Sequence, residues 1–258
     1  MRNVMADLRR LALPTGVFAA ALMLYEAAVR AHITPATIAA PSAIVGALAR
    51  DPSLLWYHME PTLLTAATGF LAALSIALVV AIAAYRYRRM EPILIMMGSV
   101  IDSVPMIALA PVLVIWMGLS LPMRITITTI ICLFPILISV LQGLKAAPIT
   151  AEELFTQLAA TPFQRFRLLA IPYGLPYLFV GLKIAAPLSI LGALIAEWTG
   201  VERGLGVFIV NAMFGLRVTQ LWTGVFVVCA ISASAYLLVC IFEALTLAGR
   251  NAREGTNL

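Results

Sequence analysis

Residues 150–172 read TAEELFTQLAATPFQRFRLLAIP, a polar interruption set between two long apolar runs. Thr150 stands three residues before Glu153, the spacing at which a hydroxyl caps a helix and the carboxylate reaches back to the amide of the cap. Thr161 and Gln164 repeat the spacing, with Pro162 at the first helical position, where its missing amide proton costs little. The segment 145–172 is therefore expected to hold two short helices that meet at Ala160 and Thr161. The first would display Leu154, Phe155 and Leu158, the second Phe163 and Phe166. A loop outside the apolar runs thus carries a cluster of large apolar groups that needs a cover.

Working outward, hydrophobic residues make up 62% of the 258-residue chain and charged residues 11%, against about 45–50% and about 25% in soluble domains. The implied solvent is a bilayer. Apolar runs near 11–31, 62–84, 92–117, 123–144, 173–198 and 219–247 suggest about six spans of roughly 20 residues each. The fold class is then an all-α polytopic membrane protein, a single domain over 1–258. Arg2, Arg9, Arg10, Arg86, Arg88, Arg89, Lys145, Arg165, Arg167, Arg250 and Arg253 fall on one side of these spans. Arg30, Arg50, Arg124, Arg203 and Arg217 fall on the other. The excess of positive charge puts both termini and the 145–172 loop in the cytoplasm. The net charge of +5 is spread over loops instead of being gathered on one soluble face, so no nucleic-acid partner is expected.

The N-terminal MRNVMADLRR ahead of an apolar run resembles a secretory signal, but the run continues to Glu26 and exceeds the roughly 7–15 residue core of such signals. A retained first span is expected. Cys132, Cys229 and Cys240 lie in predicted spans without zinc-ligand spacing or a CxxC pair, and read as small core residues. His32 and His58 fall between the first two spans and read as exposed or hydrogen-bonded side chains, so neither a metal nor a cofactor is expected.

Two spans are not plain anchors. Residues 92–117 contain Gly98, Asp102, Pro105 and Pro111, so the helix should break or kink. Broken backbone at membrane depth survives only where protein or a water-filled cavity satisfies it, which makes this segment a candidate path lining. An aspartate at the bilayer centre costs about 2.5–3.5 kcal/mol or more. Asp102 should therefore face other helices, or sit at a boundary paired with Arg88 or Arg89. In the fifth span Gly181, Ala185, Ser189 and Ala193 recur every four residues, a stripe along which another helix or another subunit can approach closely. Glu197 continues the stripe beside Trp198. Lys183 lies near the cytoplasmic end, where it either snorkels to water or lines the path. Glu26 and Glu243, near predicted boundaries, should be solvated or paired.

From about Pro61 to the end of the sixth span the chain resembles the membrane permease subunits of bacterial ATP-binding-cassette importers, particularly the nitrate, sulfonate and taurine type. The most specific element is the cytoplasmic loop. In that family it begins Glu-Ala-Ala, has Gly six residues after the Glu, and ends in Leu-Pro thirteen residues beyond the Gly. Here Glu153 matches the acid, Ala160 and Thr161 resemble the small-residue turn, Phe166 the aromatic and Ile171-Pro172 the exit. Leu154 and Phe155 replace the paired alanines, and Ala159 occupies the glycine position, where a tight turn is expected only if its torsion is not left-handed. Pro105, Pro111, Trp116 and Gly118 resemble the third-span pattern. Gly181 to Ala185, Glu197 and Gly204-Leu205-Gly206 resemble the fifth span and the outer loop after it.

The resemblance implies that the loop is the coupling helix seated in a cleft of an ATP-binding subunit, through Glu153, Leu154, Phe155, Leu158, Ala159, Ala160, Thr161, Phe163 and Phe166. It also implies a bacterial inner-membrane location, a homodimer or paired permease chain, two ATP-binding subunits and an extracytoplasmic solute-binding protein. Burying each large apolar side chain of the loop would contribute about 1.5–3 kcal/mol, before the costs of association. The other reading of the loop is an amphipathic hairpin on the membrane surface, with Arg165 and Arg167 near anionic headgroups.

No GxxxxGK, GxSxG or HExxH occurs, so the chain is expected to be no enzyme and to draw energy from another subunit. An alternative class is a secondary transporter driven by an ion gradient through Asp102, Lys183 and Glu197. It leaves the loop without a role, and no inverted repeat is detectable. A membrane scaffold explains less. The resembled subgroup includes carriers of nitrate, sulfonates, taurine, other small organic anions and pyrimidine precursors of thiamin, and residues 196–206 do not separate them. Arg203 and Arg217 would suit anions.

Overall fold

A computed structural model describes residues 16–17, 20–33, 35–87 and 89–254, with side chains to Leu247. Every regular element among them is helical. The order is α1 (20–30), α2 (Pro41–Arg50), α3 (Pro52–Arg86), α4 (Met90–Asp102), α5 (Met106–Met117), α6 (Leu121–Gly143), α7 (Ile149–Gln157) and α8 (Pro162–Arg165). A π-helical turn (Phe166–Ala170), α9 (Ile171–Glu197), α10 (Leu205–Phe214) and α11 (Val218–Glu254) follow. Helices at Pro52–Arg86, Leu121–Gly143, Pro162–Glu197 and Val218–Leu247 are long and apolar enough to cross a membrane. They coincide with the second, fourth, fifth and sixth expected spans. The third is broken as its prolines require, α4 and α5 meeting at 91° across Ser103–Pro105. Counted as one span, the bent pair brings the described crossings to five. Much of the first apolar run lies outside the described residues.

By backbone packing the chain forms two compact units, residues 1–57 with 208–227 and residues 58–207 with 228–258. In the first, Tyr25 Oη donates to the Ala39 carbonyl at 3.0 Å, and Trp222 Nε1 donates to that of Thr37 at 2.9 Å. Glu26 is paired, with Arg30 Nε at 2.6 Å.

The second unit is built on α3, α6 and α9. Ala73, Ala77, Ala81 and Ala84 of α3 form a buried small-residue stripe against Cys132, Ile136, Leu137, Val140 and Leu141 of α6. The small-residue stripe expected on α9 packs on α6 within the same chain. A Cβ at Gly181 would stand 2.7 Å from Ser139 Cβ, and one at Gly192 would stand 2.9 Å from Thr128 Cα. Such approach trades side-chain volume for backbone contact, which holds helices together where hydrocarbon solvent removes the hydrophobic drive.

Two local expectations are corrected. Thr150 is not a cap: α7 starts one residue earlier, with Pro148 at the N-cap and no side-chain cap bond. The Pro148 carbonyl already accepts from Ala151 and Glu152 at 3.0 and 3.2 Å, which leaves Thr150 inside the first turn, out of reach of the box. The exit at Ile171-Pro172 is no break either. The helix runs on from Pro162 to Glu197, and the turn before Pro172 widens so that the Ile171 N–H donates to the Phe166 carbonyl. A π-turn absorbs the missing proline donor without interrupting the rod.

Candidate functional site

The elbow after α6 is held hard at its corner. α7 ends in a Schellman motif, the Ala159 N–H donating to the Thr156 carbonyl and the Ala160 N–H to that of Phe155, both at 3.0 Å. Ala159 takes the left-handed position with φ of 48°. The expectation that this turn needs a right-handed alanine is thus overturned, because two hydrogen bonds on one side and a capping box on the other over-determine the torsion. In that box the Gln164 N–H donates to Thr161 Oγ1 at 3.3 Å, and the Thr161 N–H donates to Gln164 Oε1 at 2.8 Å. Arg165 Nε donates to the Ala160 carbonyl. Lys145, at the start of the loop, pairs with Glu91 of α4.

The apolar cluster divides. Leu154, Leu158 and Phe163 are exposed, and Ile149, outside the expected cluster, is the most open of the four at 75%. Phe155 and Phe166 are half-buried. Phe166 packs its ring 5.4 Å from that of Tyr85 on α3 and helps line a cavity of about 250 Å³ with Leu78, Val140 and Leu144. It anchors the elbow to the bundle and is not part of the displayed face. Glu153 and Ala159 are exposed and Ala160 is half-buried.

The intramembrane candidates do not converge. Asp102 ends α4, exposed, and makes no ion pair among the described residues; Arg88, one of its expected partners, lies outside them. Pro105 precedes α5 at its N-cap and Pro111 lies within it. Lys183 Nζ donates to both carboxylate oxygens of Glu243 on α11, at 2.8 and 3.1 Å, so it does not stand alone. Ser189, buried, donates to the Ala186 carbonyl at 2.7 Å. It borders a cavity of about 810 Å³ between α3, α9 and α11, walled by Phe70, Phe179, Ile190 and Phe242.

Glu197 is fully buried. Its Oε1 accepts from Thr62 Oγ1 of α3 at 2.7 Å, and its Oε2 accepts from the Gly206 N–H of α10 at 2.7 Å. The Leu205 N–H donates to Thr62 Oγ1 at 2.9 Å. One turn before Thr62, His58 Nδ1 lies 3.0 Å from the Gly204 carbonyl and 3.3 Å from its N–H, so either tautomer holds Gly204. Beside this cluster, Arg124, Arg203, Glu202 and Pro61 line a pocket of about 410 Å³, and Arg203 meets Glu60 at 3.4 Å. Thr62 and His58 carried no local signal; only the proximity of α3 to the turn before α10 gives them a role. Lys183 and Glu197 stand fourteen residues apart on one helix, a separation of about 21 Å. The two side chains therefore do not meet.

Residues 69–247 match the family described as the binding-protein-dependent transport system inner membrane component. The match takes in the elbow, the broken third span and Glu197. The formylaminopyrimidine transport permease protein ThiX of Halalkalibacterium halodurans is 31% identical over 76% of this chain and 78% of its own length. The riboflavin transport system permease protein RibX of Chloroflexus aurantiacus is 29% identical over 87% and 85%. The taurine transport system permease protein TauC of Escherichia coli is 26% identical over 76% and 69%. With its apolar helices, its broken span and this match over most of its length, the chain belongs to the binding-protein-dependent inner membrane components, the multi-pass permeases of ATP-binding-cassette importers.

Proposed function

We propose that this permease forms the translocation pathway for a small solute and takes its energy from a separate ATP-binding subunit docked on residues 150–170. The observation that carries the reading is the elbow itself: Ile149, Leu154, Leu158 and Phe163 stand exposed on a corner whose second arm is continuous with the fifth span through to Glu197. A lever of that kind conveys displacement of the knob directly into the membrane, where a floppy loop would dissipate it. Four such side chains offer about 6–12 kcal/mol of gross burial, from which the costs of association are subtracted.

In this mechanism the chain works as one permease domain over 1–258, both termini cytoplasmic, with a second copy or a paired permease chain completing the path. The third, fourth and fifth spans line it. A solute-binding protein delivers substrate, closure of two ATP-binding subunits pulls on the elbow and opens the path outward, and hydrolysis resets it. The solute is a nitrate-, sulfonate- or taurine-like anion or a thiamin pyrimidine precursor; relatives named for taurine and for formylaminopyrimidine support that range. The test is uptake in proteoliposomes. ATP and the ATPase subunits should be required, and a proton or sodium gradient alone should drive nothing. Glu153→Lys, Phe155→Asp and Leu158→Asp should each lower uptake at least tenfold with normal insertion. Full uptake in all three variants, or uptake driven by a gradient alone, would sink the proposal.

A further inference from the structure

We infer that Glu197 and Thr62 form a tertiary cap on α10, so that Glu197 is a positioning residue locking the start of α10 to Thr62 of α3 and to the end of α9. A helix leaves its first amide protons without intrahelical partners, and a side chain just before the helix ordinarily takes one of them. Here the preceding residue is Gly204, which has no side chain to offer. The first helical amide, Leu205, is instead taken by Thr62, and the second, Gly206, by Glu197. The Thr62 hydroxyl closes the triangle onto Glu197.

Three further observations point the same way. Glu197 ends α9, where a negative charge faces the negative pole of its own helix. Its placement is unfavourable for α9 and favourable for α10, whose positive pole it meets. The turn is also shaped around the carboxylate: a Cβ on Gly204 would fall 2.2 Å from Glu197 Cδ, and one on Gly206 would fall 3.0 Å from Glu197 Cβ. Finally, each carboxylate oxygen and the Thr62 oxygen has a partner inside the protein. The group holds three elements together. The consequence for gating rests on the transport reading above: residues 204–206, where α10 begins, travel with Thr62 and Glu197.

The experiment compares Glu197→Gln, Glu197→Ala, Thr62→Ser and Thr62→Val in the full chain in nanodiscs, by hydrogen exchange of the peptide covering 203–214, and in the assembled transporter by uptake. Gln can accept from Gly206 and donate its amide to Thr62 Oγ1, whose hydroxyl then turns to the His58 carbonyl, already 3.1 Å away. Glu197→Gln and Thr62→Ser should therefore keep protection and at least half of the uptake rate. Glu197→Ala and Thr62→Val should raise exchange at Leu205 and Gly206 at least tenfold, and lower kcat severalfold with little change in KM. Thr62→Val keeps side-chain volume and serves should Glu197→Ala not fold. Unchanged protection in Thr62→Val and in every Glu197→Ala preparation that folds would overturn the cap. A Gln variant that retains protection yet transports no better than Ala would overturn the positioning role and assign the charge itself to transport. The exchange arm needs no ATP, so its outcome stands apart from the success or failure of ATP-driven uptake.

Discussion

Three non-glycine residues among those described take a left-handed torsion, His32, Ala159 and Leu216, at φ of 57°, 48° and 51°, and each occupies the same station. Ile33, Ala160 and Arg217, the residues that follow, donate back to the carbonyls of Ala28, Phe155 and Ala212, so α1, α7 and α10 all end in Schellman motifs without the usual glycine. The left-handed region costs an L-residue about 1–2 kcal/mol. Replacing alanine with glycine gives back about 0.4–1 kcal/mol through the freer unfolded chain. Ala159→Gly should therefore stabilise the elbow by up to about 1.5 kcal/mol, a slowing of amide exchange at Ala159 and Ala160 of up to about tenfold. Exchange that is unchanged or faster would show that the corner stores no strain. Leu216, 86% exposed, gives up little packing to the same change and serves as the control outside the elbow.

Among the elements, caps come from near and far. The Thr161–Gln164 box was legible because all of its partners lie within four residues, and the structure forms it. The short helices α2 and α10 instead borrow carboxylates. Glu26 on α1 accepts the Ser42 N–H at 3.0 Å, as Glu197 accepts that of Gly206. Neither arrangement could be read locally, since the donor and acceptor meet only when separate helices pack. The Lys183–Glu243 pair has the same origin: each residue taken alone looked like a boundary charge. Removing one partner of a buried pair costs about 3–5 kcal/mol. With side-chain exposures of 23% and 21% here, about 1–3 kcal/mol is expected for Lys183→Met or Glu243→Gln. The swap Lys183→Glu with Glu243→Lys should recover most of that loss in thermal melts of the purified protein. A swap as unstable as the single variants would show that the two charges do not hold α9 and α11 together.

At the scale of the whole molecule, the distribution of basic residues predicts an orientation. In a background with Cys229 and Cys240 replaced by serine, a membrane-impermeant maleimide should label Glu202→Cys in intact cells and reach Leu158→Cys only after the cells are opened. Both positions are exposed, so access to the reagent depends on the side of the membrane. The reverse pattern would invert the orientation and remove the elbow from the compartment that holds ATP.

The medium, the apolar runs of the four long spans and the break near Pro105 follow from the sequence by itself, because hydropathy, proline geometry and local capping act over a few residues and are indifferent to what lies across the bundle. The tertiary structure alone decided that Phe166 turns inward against Tyr85, that the elbow continues into the fifth span, that Lys183 finds Glu243 and that Thr62 and Glu197 seat α10. Each of these depends on which helix faces which, and in a hydrocarbon solvent that choice is made by small-residue fit and by the partnering of buried polar groups, both properties of pairs of helices brought together by the fold.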